Sequence, residues 1–256
     1  MTLSRFKNII LFGASKGIGK ALALEYTSLK SSLVLLSRNV DAIEGLSEDI
    51  ANLGGTAYFK KCDVAVKKDV EDAVKFGREK LGSIDLAIIN SGIGIPERIA
   101  DFDSDNLKKV FEVNVFGIAH ATEYLIPVMK KQGYGTIAGV TSLADSRGYP
   151  GSSSYCSSKA GASIFLESAR LGLKDFNIDV ITIKPGFVKT DMTAKNEFYM
   201  PFLMEADKAA RIIRKGLEKK KKIIQFPFFT ANLQRFIKFL PNFIYDPILR
   251  KSRKVR

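Results

Sequence analysis

The sequence predicts an α/β protein with a single Rossmann-type, doubly wound parallel sheet of about seven strands and helices on both faces. First, short apolar segments alternate with amphipathic helical segments along the chain. Second, residues 84–90 are almost entirely apolar, as expected for a strand covered by helices on both sides. Third, a glycine-rich turn directly follows the first apolar segment. At 256 residues, the chain fits one domain of this kind.

The predicted elements alternate in order, and glycines end several of the helices. Strands are predicted at residues 7–12, 32–37, 56–62, 84–90, 136–141, 178–183 and 222–226. Helices are predicted at residues 18–29, 40–53, 68–81, 105–131, 154–176 and 208–218. Gly54 and Gly82 directly follow two of these helices, where glycine commonly ends a helix. We expect residues 1–228 to form the Rossmann domain, with a lid at about 191–207, and residues 229–256 to form a C-terminal extension.

The composition is that of a soluble globular protein, with 46% apolar and 26% charged residues. Cys62 and Cys156 are far apart and not at a metal-ligand spacing, so we expect reduced thiols, a cytoplasmic chain and no metal site. The start of the chain does not resemble a signal peptide, and no apolar run reaches the ~20 residues of a membrane span. The net charge of +13 is compatible with nucleic acid, a membrane surface or acidic substrates.

Tyr155 and Lys159 place a phenol and an ammonium four residues apart on a predicted helix. That spacing is about one helical turn, so both side chains leave the same face. A cation beside a tyrosine favours the phenolate and lowers the tyrosine pKa from about 10, which suits proton transfer at a carbon bearing oxygen. The same pair also occurs on ordinary solvated helix faces, so the spacing alone does not establish catalysis.

Gly13, Gly17 and Gly19 lie between the first predicted strand and the first predicted helix. Glycine allows a tight turn and a close approach to a pyrophosphate, and the helix N-terminus supplies unpaired N–H groups. The spacing is GxxxGxG and therefore differs from the commonest dinucleotide fingerprint. The position at the first strand-to-helix turn nevertheless indicates a dinucleotide site.

The end of the second predicted strand discriminates between the two nicotinamide cofactors. An NAD site usually has an acidic residue there for the ribose 2′-OH, whereas an arginine accommodates the 2′-phosphate of NADP. Arg38 at this position and Lys16 in the glycine turn favour NADP(H), the alternative being two solvated surface charges. Asp63 follows the third strand and could accept from the adenine amino group. Residues 90–92 follow the fourth strand and bring the backbone close to the adenosine ribose.

Together these motifs resemble the short-chain dehydrogenase/reductase family over residues 5–226. The turn at 13–19 matches the family's cofactor loop, and residues 90–92 resemble its NNAG motif, with Ser91 replacing the second asparagine. A departure is Phe12, where many members carry Thr or Ser before the first glycine. The remaining matches are a helix asparagine, the serine ending the fifth strand, the YxxxK pair and the nicotinamide-side loop: Asn114, Ser142, Tyr155, Lys159, Pro185, Gly186 and Thr190.

The resemblance implies a catalytic role for each member of the polar set. Tyr155 would be the general acid in reduction or the base in oxidation, and Lys159 would lower its pKa and hold the nicotinamide ribose. Ser142 would bind the substrate oxygen, and Asn114 would hold a water that links Lys159 to solvent. The structural alternatives are that Ser142 only caps a helix and that Asn114 bonds backbone. The cofactor contacts implied are Gly13, Ser15, Lys16, Gly17, Ile18, Gly19, Arg38, Asp63, Val64, Asn90, Gly92, Tyr155, Lys159, Pro185, Gly186, Val188 and Thr190.

The predicted lid and C-terminal extension are both rich in large apolar side chains. In the resembled family a segment like 191–207 covers the substrate, which implies an apolar substrate, although ordinary loop packing is nearly as good an explanation. The extension carries an amphipathic stripe formed by Leu233, Phe236, Ile237 and Leu240. It ends on five cations: Arg250, Lys251, Arg253, Lys254 and Arg256. Such a segment fits contact with an anionic membrane surface, and equally fits docking on the enzyme's own core or on a second subunit.

We therefore expect an NAD(P)(H)-dependent oxidoreductase that reduces a ketone or aldehyde with NADPH, or runs the reverse alcohol oxidation, on an apolar, lipid-like substrate. The alternative is a cofactor-binding adaptor of the same fold, at a membrane or partner surface, without significant turnover. The resemblance implies a homodimer or homotetramer, and no nucleic-acid-reading module is recognised. The expected location is the cytoplasm, with residues 229–256 in contact with the inner membrane face.

Overall fold

The computed structural model describes residues 4–195 and 199–253, and for Lys195 and residues 250–253 only the backbone is described. Several groups of the predicted lid and tail therefore lie outside the described residues: Phe198, Lys254, Arg256 and the side chains of Arg250, Lys251 and Arg253.

The centre of the molecule is one parallel sheet, as predicted. Its strands are β1 Asn8–Phe12, β2 Ser32–Ser37, β3 Thr56–Lys61, β4 Leu86–Ile89, β5 Gly135–Val140, β6 Ile178–Pro185 and β7 Ile223–Phe226. The seven strands lie in the order β3-β2-β1-β4-β5-β6-β7, and each neighbouring pair is parallel. The order reverses between β1 and β4, which is where doubly wound sheets form their ligand crevice.

Helices cover both faces of the sheet. They are α1 Gly17–Thr27, α2 Val40–Asn52, α3 Lys67–Leu81, α4 Ser104–Phe111, α5 Gly117–Gln132, α6 Ser153–Gly172, α7 Ala206–Glu218, α8 Phe228–Ile237 and α9 Asn242–Arg253. Side chains alternate along each strand, so Ile9 and Leu11 enter one core layer and Ile10 and Phe12 the other. The first layer contains residues of α1, α2 and α7, and the second contains residues of α3, α5 and α6. The Rossmann-type fold is therefore confirmed.

The single long helix predicted at 105–131 is wrong in detail. The chain forms α4, a five-residue π-helical segment at Glu112–Phe116, and then α5. The bulge coincides with the buried Asn114, whose amide is held by Ile93 of the loop after β4 and by Ser158 of α6. Such bulges often occur at functional sites. Hydrophobic periodicity does not signal the bulge, because the apolar pattern continues across it.

The predicted extension forms two helices, α8 and α9, and α8 packs against β7 and the short 3-10 helix Leu143–Asp145. Tyr245 of α9 is buried, and its hydroxyl donates to the carbonyl of Gly148 at 2.8 Å. Arg147 donates to the carbonyl of Leu240 at 2.8 Å. One face of the extension is therefore docked on the same chain. Within the described ranges, no helix has both the length and the apolar character needed to cross a membrane.

Candidate active site

The predicted catalytic residues meet at the carboxyl ends of the central strands. Tyr155 and Lys159 lie on α6, and the Lys159 ammonium is 5.7 Å from the centroid of the Tyr155 ring. Lys159 is only 3% exposed, and its Nζ donates to the carbonyl of Val140, the last residue of β5, at 3.0 Å. The ammonium is thus fixed by backbone, with further protons left to hold a hydroxyl.

Two glycines after β4 leave the space in which these side chains lie. A Cβ on Gly92 would lie 3.1 Å from Lys159 Nζ, and a Cβ on Gly94 would lie 3.4 Å from Cδ2 of the Tyr155 ring. The loop backbone therefore packs directly against both groups, as expected where backbone must approach a functional group closely.

The pKa values of the pair differ from the sequence-based expectation. Burial raises the pKa of Tyr155, and a hydrogen bond with Ser142 offsets part of that rise. Burial lowers the pKa of Lys159 to about 8, and the negative charge of Asp145 opposes this effect. The expectation that the cation lowers the tyrosine pKa is therefore wrong for this structure, because desolvation dominates. A neutral phenol near pH 7 is the form suited to donating a proton.

Ser142 lies two residues after β5 and caps the short 3-10 helix Leu143–Asp145. It is hydrogen-bonded to Tyr155, and its Oγ also accepts from the backbone N–H of Ala144 at 3.1 Å. The cap at the start of the 3-10 helix fixes the serine hydroxyl beside the phenol. The capping interpretation and the substrate-binding interpretation are thus compatible.

Asn114 is completely buried in the π-helical segment. Its Oδ1 accepts from the N–H of Ile93, and its Nδ2 donates to the Ile93 carbonyl and to Ser158 Oγ, each at 2.9 Å. Both amide protons are in use, so the side chain ties the loop after β4 to α6. A water relay at this residue would have to use its remaining acceptor sites rather than the amide protons.

The glycine turn fits a dinucleotide. Gly13 and Gly17 have φ values of +78° and +55°, a region that favours glycine, and a side chain on Gly19 would collide with the Gly13 carbonyl. The turn is followed by α1, whose N-cap residue Lys16 makes no side-chain capping hydrogen bond. The first N–H groups of α1 thus have the donor chemistry that binds a pyrophosphate. Ser15 and Ile18 are the other predicted turn contacts, and both are partly exposed.

Two predicted cofactor contacts have structural tasks. Asn90 donates through Nδ2 to the Gly13 carbonyl at 2.9 Å, which fixes the glycine turn to the end of β4. Val64 is buried, and a Cβ on Gly117 would lie 2.8 Å from its Cγ2. Only the backbone around Val64 is therefore suited to facing a cofactor.

The cations expected near a 2′-phosphate are exposed and face carboxylates. Arg38 Nη1 lies 3.7 Å from Asp63 Oδ2, and Lys16 Nζ lies 2.8 Å from Asp191 Oδ2. Asp63 Oδ1 accepts from the backbone of Ala65 at 3.0 Å, so this carboxylate also shapes the turn after β3. Both cations lie at the edge of the crevice, in loops that follow β1 and β2.

The segment after β6 forms the base of the predicted lid. Pro185 ends β6, and the Gly186 N–H donates to the carbonyl of Phe226 at 2.7 Å. Val188 forms an isolated parallel bridge with Met204, which closes the base of the lid. A Cβ on Gly17 would lie 2.8 Å from the methyl group of Thr190, so this segment approaches the glycine turn.

Sequence reasoning missed two acidic residues that support α6. Glu97 Oε1 accepts from the N–H and the Oγ of Ser154, both at 2.7 Å, and also from Ser153. Burial opposes its charge, but these hydrogen bonds outweigh it and hold the pKa of Glu97 below its usual range. A carboxylate here also suits the positive end of the helix. Its position in an irregular loop gave no sequence signal.

Asp145 is the second missed residue, three positions after Ser142. Its side chain is 5% exposed and lies 2.6 Å from Lys184 Nζ, and it also accepts from Ser163 Oγ. This carboxylate joins the loop after β5 to β6 and α6. The parallel pairing of β5 with β6 and the packing of α6 against the 3-10 helix bring these residues together, so sequence spacing could not reveal them.

Comparisons with known proteins identify the family of the chain. The sequence profile described as short chain dehydrogenase matches residues 7–198. An uncharacterized oxidoreductase of Myxococcus xanthus is 31% identical over 97% of this chain and 98% of its own length. The 7alpha-hydroxysteroid dehydrogenase of Escherichia coli strain K12 is 34% identical over 72% of both chains. A solved 7α-hydroxysteroid dehydrogenase complexed with NADH and 7-oxo glycochenodeoxycholic acid has a TM-score of 0.80 at 28% identity, covering 88% of this chain and 94% of the other.

The chain belongs to the short-chain dehydrogenase family. It is accordingly an oxidoreductase of CH–OH and C=O groups that uses a nicotinamide dinucleotide. Membership of this family favours the enzyme interpretation over the adaptor alternative.

Proposed function

We propose that the protein is an NADPH-preferring carbonyl reductase for an apolar, lipid-like ketone or aldehyde, with Asn114, Ser142, Tyr155 and Lys159 as its working set. The observation that carries this proposal is the convergence of a neutral phenol, a serine hydroxyl and a buried ammonium beside the loop after β4. When bound, a nicotinamide dinucleotide would supply the hydride that the carbonyl carbon takes up. The reverse alcohol oxidation uses the same groups in the opposite direction.

The chain's own residues handle the oxygen and the proton. Ser142 and Tyr155 donate hydrogen bonds to the carbonyl oxygen, which stabilises the negative charge that develops there. Tyr155 then passes its proton to that oxygen as a general acid. Lys159 remains protonated below its pKa of about 8 and stabilises the phenolate that is left. The same ammonium would hold the ribose hydroxyls of a bound nicotinamide dinucleotide. The amide of Asn114 keeps the loop after β4 in place against α6.

The preference for NADPH is supported by charge. Arg38 follows β2 and Lys16 lies in the glycine turn, whereas no acidic residue ends β2. A guanidinium can bind a 2′-phosphate with two parallel hydrogen bonds. A 2′-phosphate would replace the contacts that these exposed cations make with Asp63 and Asp191.

Residues 229–256 are proposed to bring a cytoplasmic enzyme into peripheral contact with the inner membrane face. Two members of the predicted stripe face solvent in α8, since Leu233 and Phe236 are 56% and 70% exposed while Thr230 and Ala231 are buried. The other two, Ile237 and Leu240, are partly buried. A large exposed apolar surface beside basic residues is typical of an interaction site. A homodimer or homotetramer remains the expected assembly.

A substrate screen tests the proposed reaction. Apolar ketones and aldehydes, with a water-soluble carbonyl among them, are incubated with NADPH or NADH, and cofactor oxidation is followed by absorbance. We expect at least one apolar carbonyl to be reduced faster with NADPH. Binding of NADPH without reduction of any carbonyl or oxidation of the matching alcohols would contradict the proposal.

A further inference from the structure

A basic groove lies between α7 and α8, beside the edge strand β7. Its volume is about 420 Å³, and its lining includes four cations, Lys215, Lys219, Lys221 and Arg235. None of the described lining residues is acidic. Within the described part of the chain, the three lysines form no ion pair with a carboxylate. The groove therefore concentrates positive charge without an internal partner.

Arg235 is held in place inside this groove. The side-chain carbonyl of Gln225, in the amide orientation that satisfies both groups, accepts from Arg235 Nε at 2.8 Å and Nη2 at 2.7 Å. The Nη1 of Arg235 donates to Asn232 Oδ1 at 3.4 Å. These contacts fix the plane of the guanidinium without neutralising its charge. A fixed and uncompensated guanidinium beside three lysines is suited to an anionic phosphate.

An exposed aromatic row runs from this groove to the lid. Phe228 lines the groove and meets the Phe229 ring edge to face at 5.8 Å, and Phe229 stacks on Phe202 of the lid at 5.9 Å. The three side chains are 73%, 68% and 58% exposed. Phe202 has a φ of +56°, a conformation that bulky residues rarely adopt. The lid backbone thus holds this ring outward at a conformational cost.

We propose that the α7–α8 groove binds the phosphate headgroup of an anionic phospholipid in a bilayer, while Phe228, Phe229 and Phe202 enter the acyl layer. The inference deepens the proposed peripheral contact by naming the lipid class and by placing the lid on the bilayer. Charge favours a bilayer over a second copy of the chain, because a two-fold contact through this groove would bring two sets of the same cations together. An apolar substrate dissolved in the bilayer would then reach the lid without crossing water.

Flotation with vesicles tests the groove in the full chain, without cofactor or substrate. The vesicles contain phosphatidylcholine alone or with about 30 mol% phosphatidylserine. The protein is expected to float only with the anionic vesicles, and Lys219→Glu/Lys221→Glu is expected to reduce the bound fraction at least tenfold. The control Lys108→Glu/Lys109→Glu changes the net charge equally at exposed positions near the end of α4 and should bind as the unaltered protein does. Equal binding by the two variants would overturn the proposal.

The aromatic row has its own matched control. Phe228→Ser/Phe229→Ser is expected to lose most anionic vesicle binding, whereas Ile164→Ser/Leu171→Ser removes α6 side chains that are 67% and 73% exposed and should keep it. Equal loss of vesicle binding in the two variants would show that exposed apolar side chains adhere to vesicles unspecifically. That result would contradict the proposed insertion of the aromatic row. Melting temperatures confirm that all variants are folded.

Two further readouts separate the bilayer from other occupants of the groove. Inorganic phosphate alone is expected not to raise the melting temperature; a rise that requires Lys219 and Lys221, without vesicle binding, would assign the groove to soluble phosphate. Sedimentation without lipid is expected to be unchanged by the groove variant. A change in oligomeric state with unchanged vesicle binding would assign the groove to a second copy and overturn the proposal.

Reduction of the water-soluble carbonyl by the groove variant, measured separately, should be unaffected. Failure of the membrane proposal can therefore be distinguished from failure of the proposed reductase activity.

Discussion

The catalytic crevice and the C-terminal surface depart from the usual distribution of side chains in opposite ways. At the crevice, polar groups are buried, and Asn114 and Lys159 are both held by backbone atoms. On α8, small residues such as Ala231 are buried while Phe229 and Phe236 are exposed. A buried polar group with internal partners forms a site that the fold itself completes. An exposed apolar face has no such completion within the described chain, and its partner is therefore sought outside it.

The largest effect on the rate is expected at Lys159, the buried cation of the catalytic crevice. Replacing Lys159 with methionine should lower the rate of carbonyl reduction about 10³-fold, because the ribose loses its anchor and the phenolate its cation. Steady-state kinetics at saturating NADPH measure this loss. A decrease of less than about tenfold would show that the ammonium is structural, which would remove the contrast between the two regions.

The same variant has a second readout in the stability of the protein without cofactor. Below pH 8 both the folded and the unfolded lysine are protonated, so the folded state carries the cost of a buried cation. Lys159→Met should therefore stabilise the protein by on the order of 2 kcal/mol at pH 7. Between pH 8 and about 10.5 only the unfolded lysine keeps its proton, so the unaltered protein gains stability and the difference disappears. A pH-independent difference in denaturant unfolding would contradict this account.

Replacing Arg38 with aspartate is expected to lower the preference for NADPH over NADH by about a hundredfold. The substitution removes a partner of the 2′-phosphate and supplies an acceptor for the ribose 2′-OH. The ratio of kcat/KM for NADPH to that for NADH measures the change. The control is Arg78→Asp in the last turn of α3, away from the end of β2. An unchanged ratio in the Arg38 variant would refute the assignment of this arginine.

Asp145→Asn tests whether the missed carboxylate supports the crevice. Lys184 would lose its 2.6 Å partner, so the free energy of unfolding should fall by about 2 kcal/mol. Because the Asp145 charge raises the pKa of Lys159, its loss should also move the alkaline limb of the pH–rate profile to lower pH. Glu205→Gln, which breaks the exposed pair with Lys189, is the control and should change neither quantity. An unshifted limb would limit Asp145 to a structural role.

The smallest effect concerns the attachment of the C-terminal surface. Tyr245→Phe keeps the ring over Arg147 but removes the hydrogen bond to the Gly148 carbonyl, worth about 1 kcal/mol. Amide hydrogen exchange in α9 should become faster. Tyr199→Phe, at a side chain that is 87% exposed, should leave exchange unchanged. Equal exchange in both variants would show that α9 is not held by this contact.

Local patterns were sufficient to predict the sheet and the glycine turn. Alternating apolar segments predicted seven strands, and the spacing of Tyr155 and Lys159 predicted a shared helix face. The turn at 13–19 was recognisable because backbone geometry requires glycine at its key positions. These features depend on residues that are close in sequence.

The remaining features depend on contacts between distant segments. The π-helical segment follows from the contacts of Asn114 with Ile93 and Ser158, and the high pKa of Tyr155 follows from burial by the surrounding loops. The stripe was recognised, but the exposure of Leu233 and Phe236 depends on how Thr230 and Ala231 meet the core. Sequence spacing contains none of this information.

The most direct test of the account is Tyr155→Phe, which removes one hydroxyl and keeps the aromatic ring in the crevice. NADPH binding, measured by calorimetry, should stay within about twofold of the unaltered protein, while carbonyl reduction should fall at least about 10³-fold. Reduction at more than a tenth of the original rate would show that this phenol is not the proton donor and would contradict the proposed mechanism.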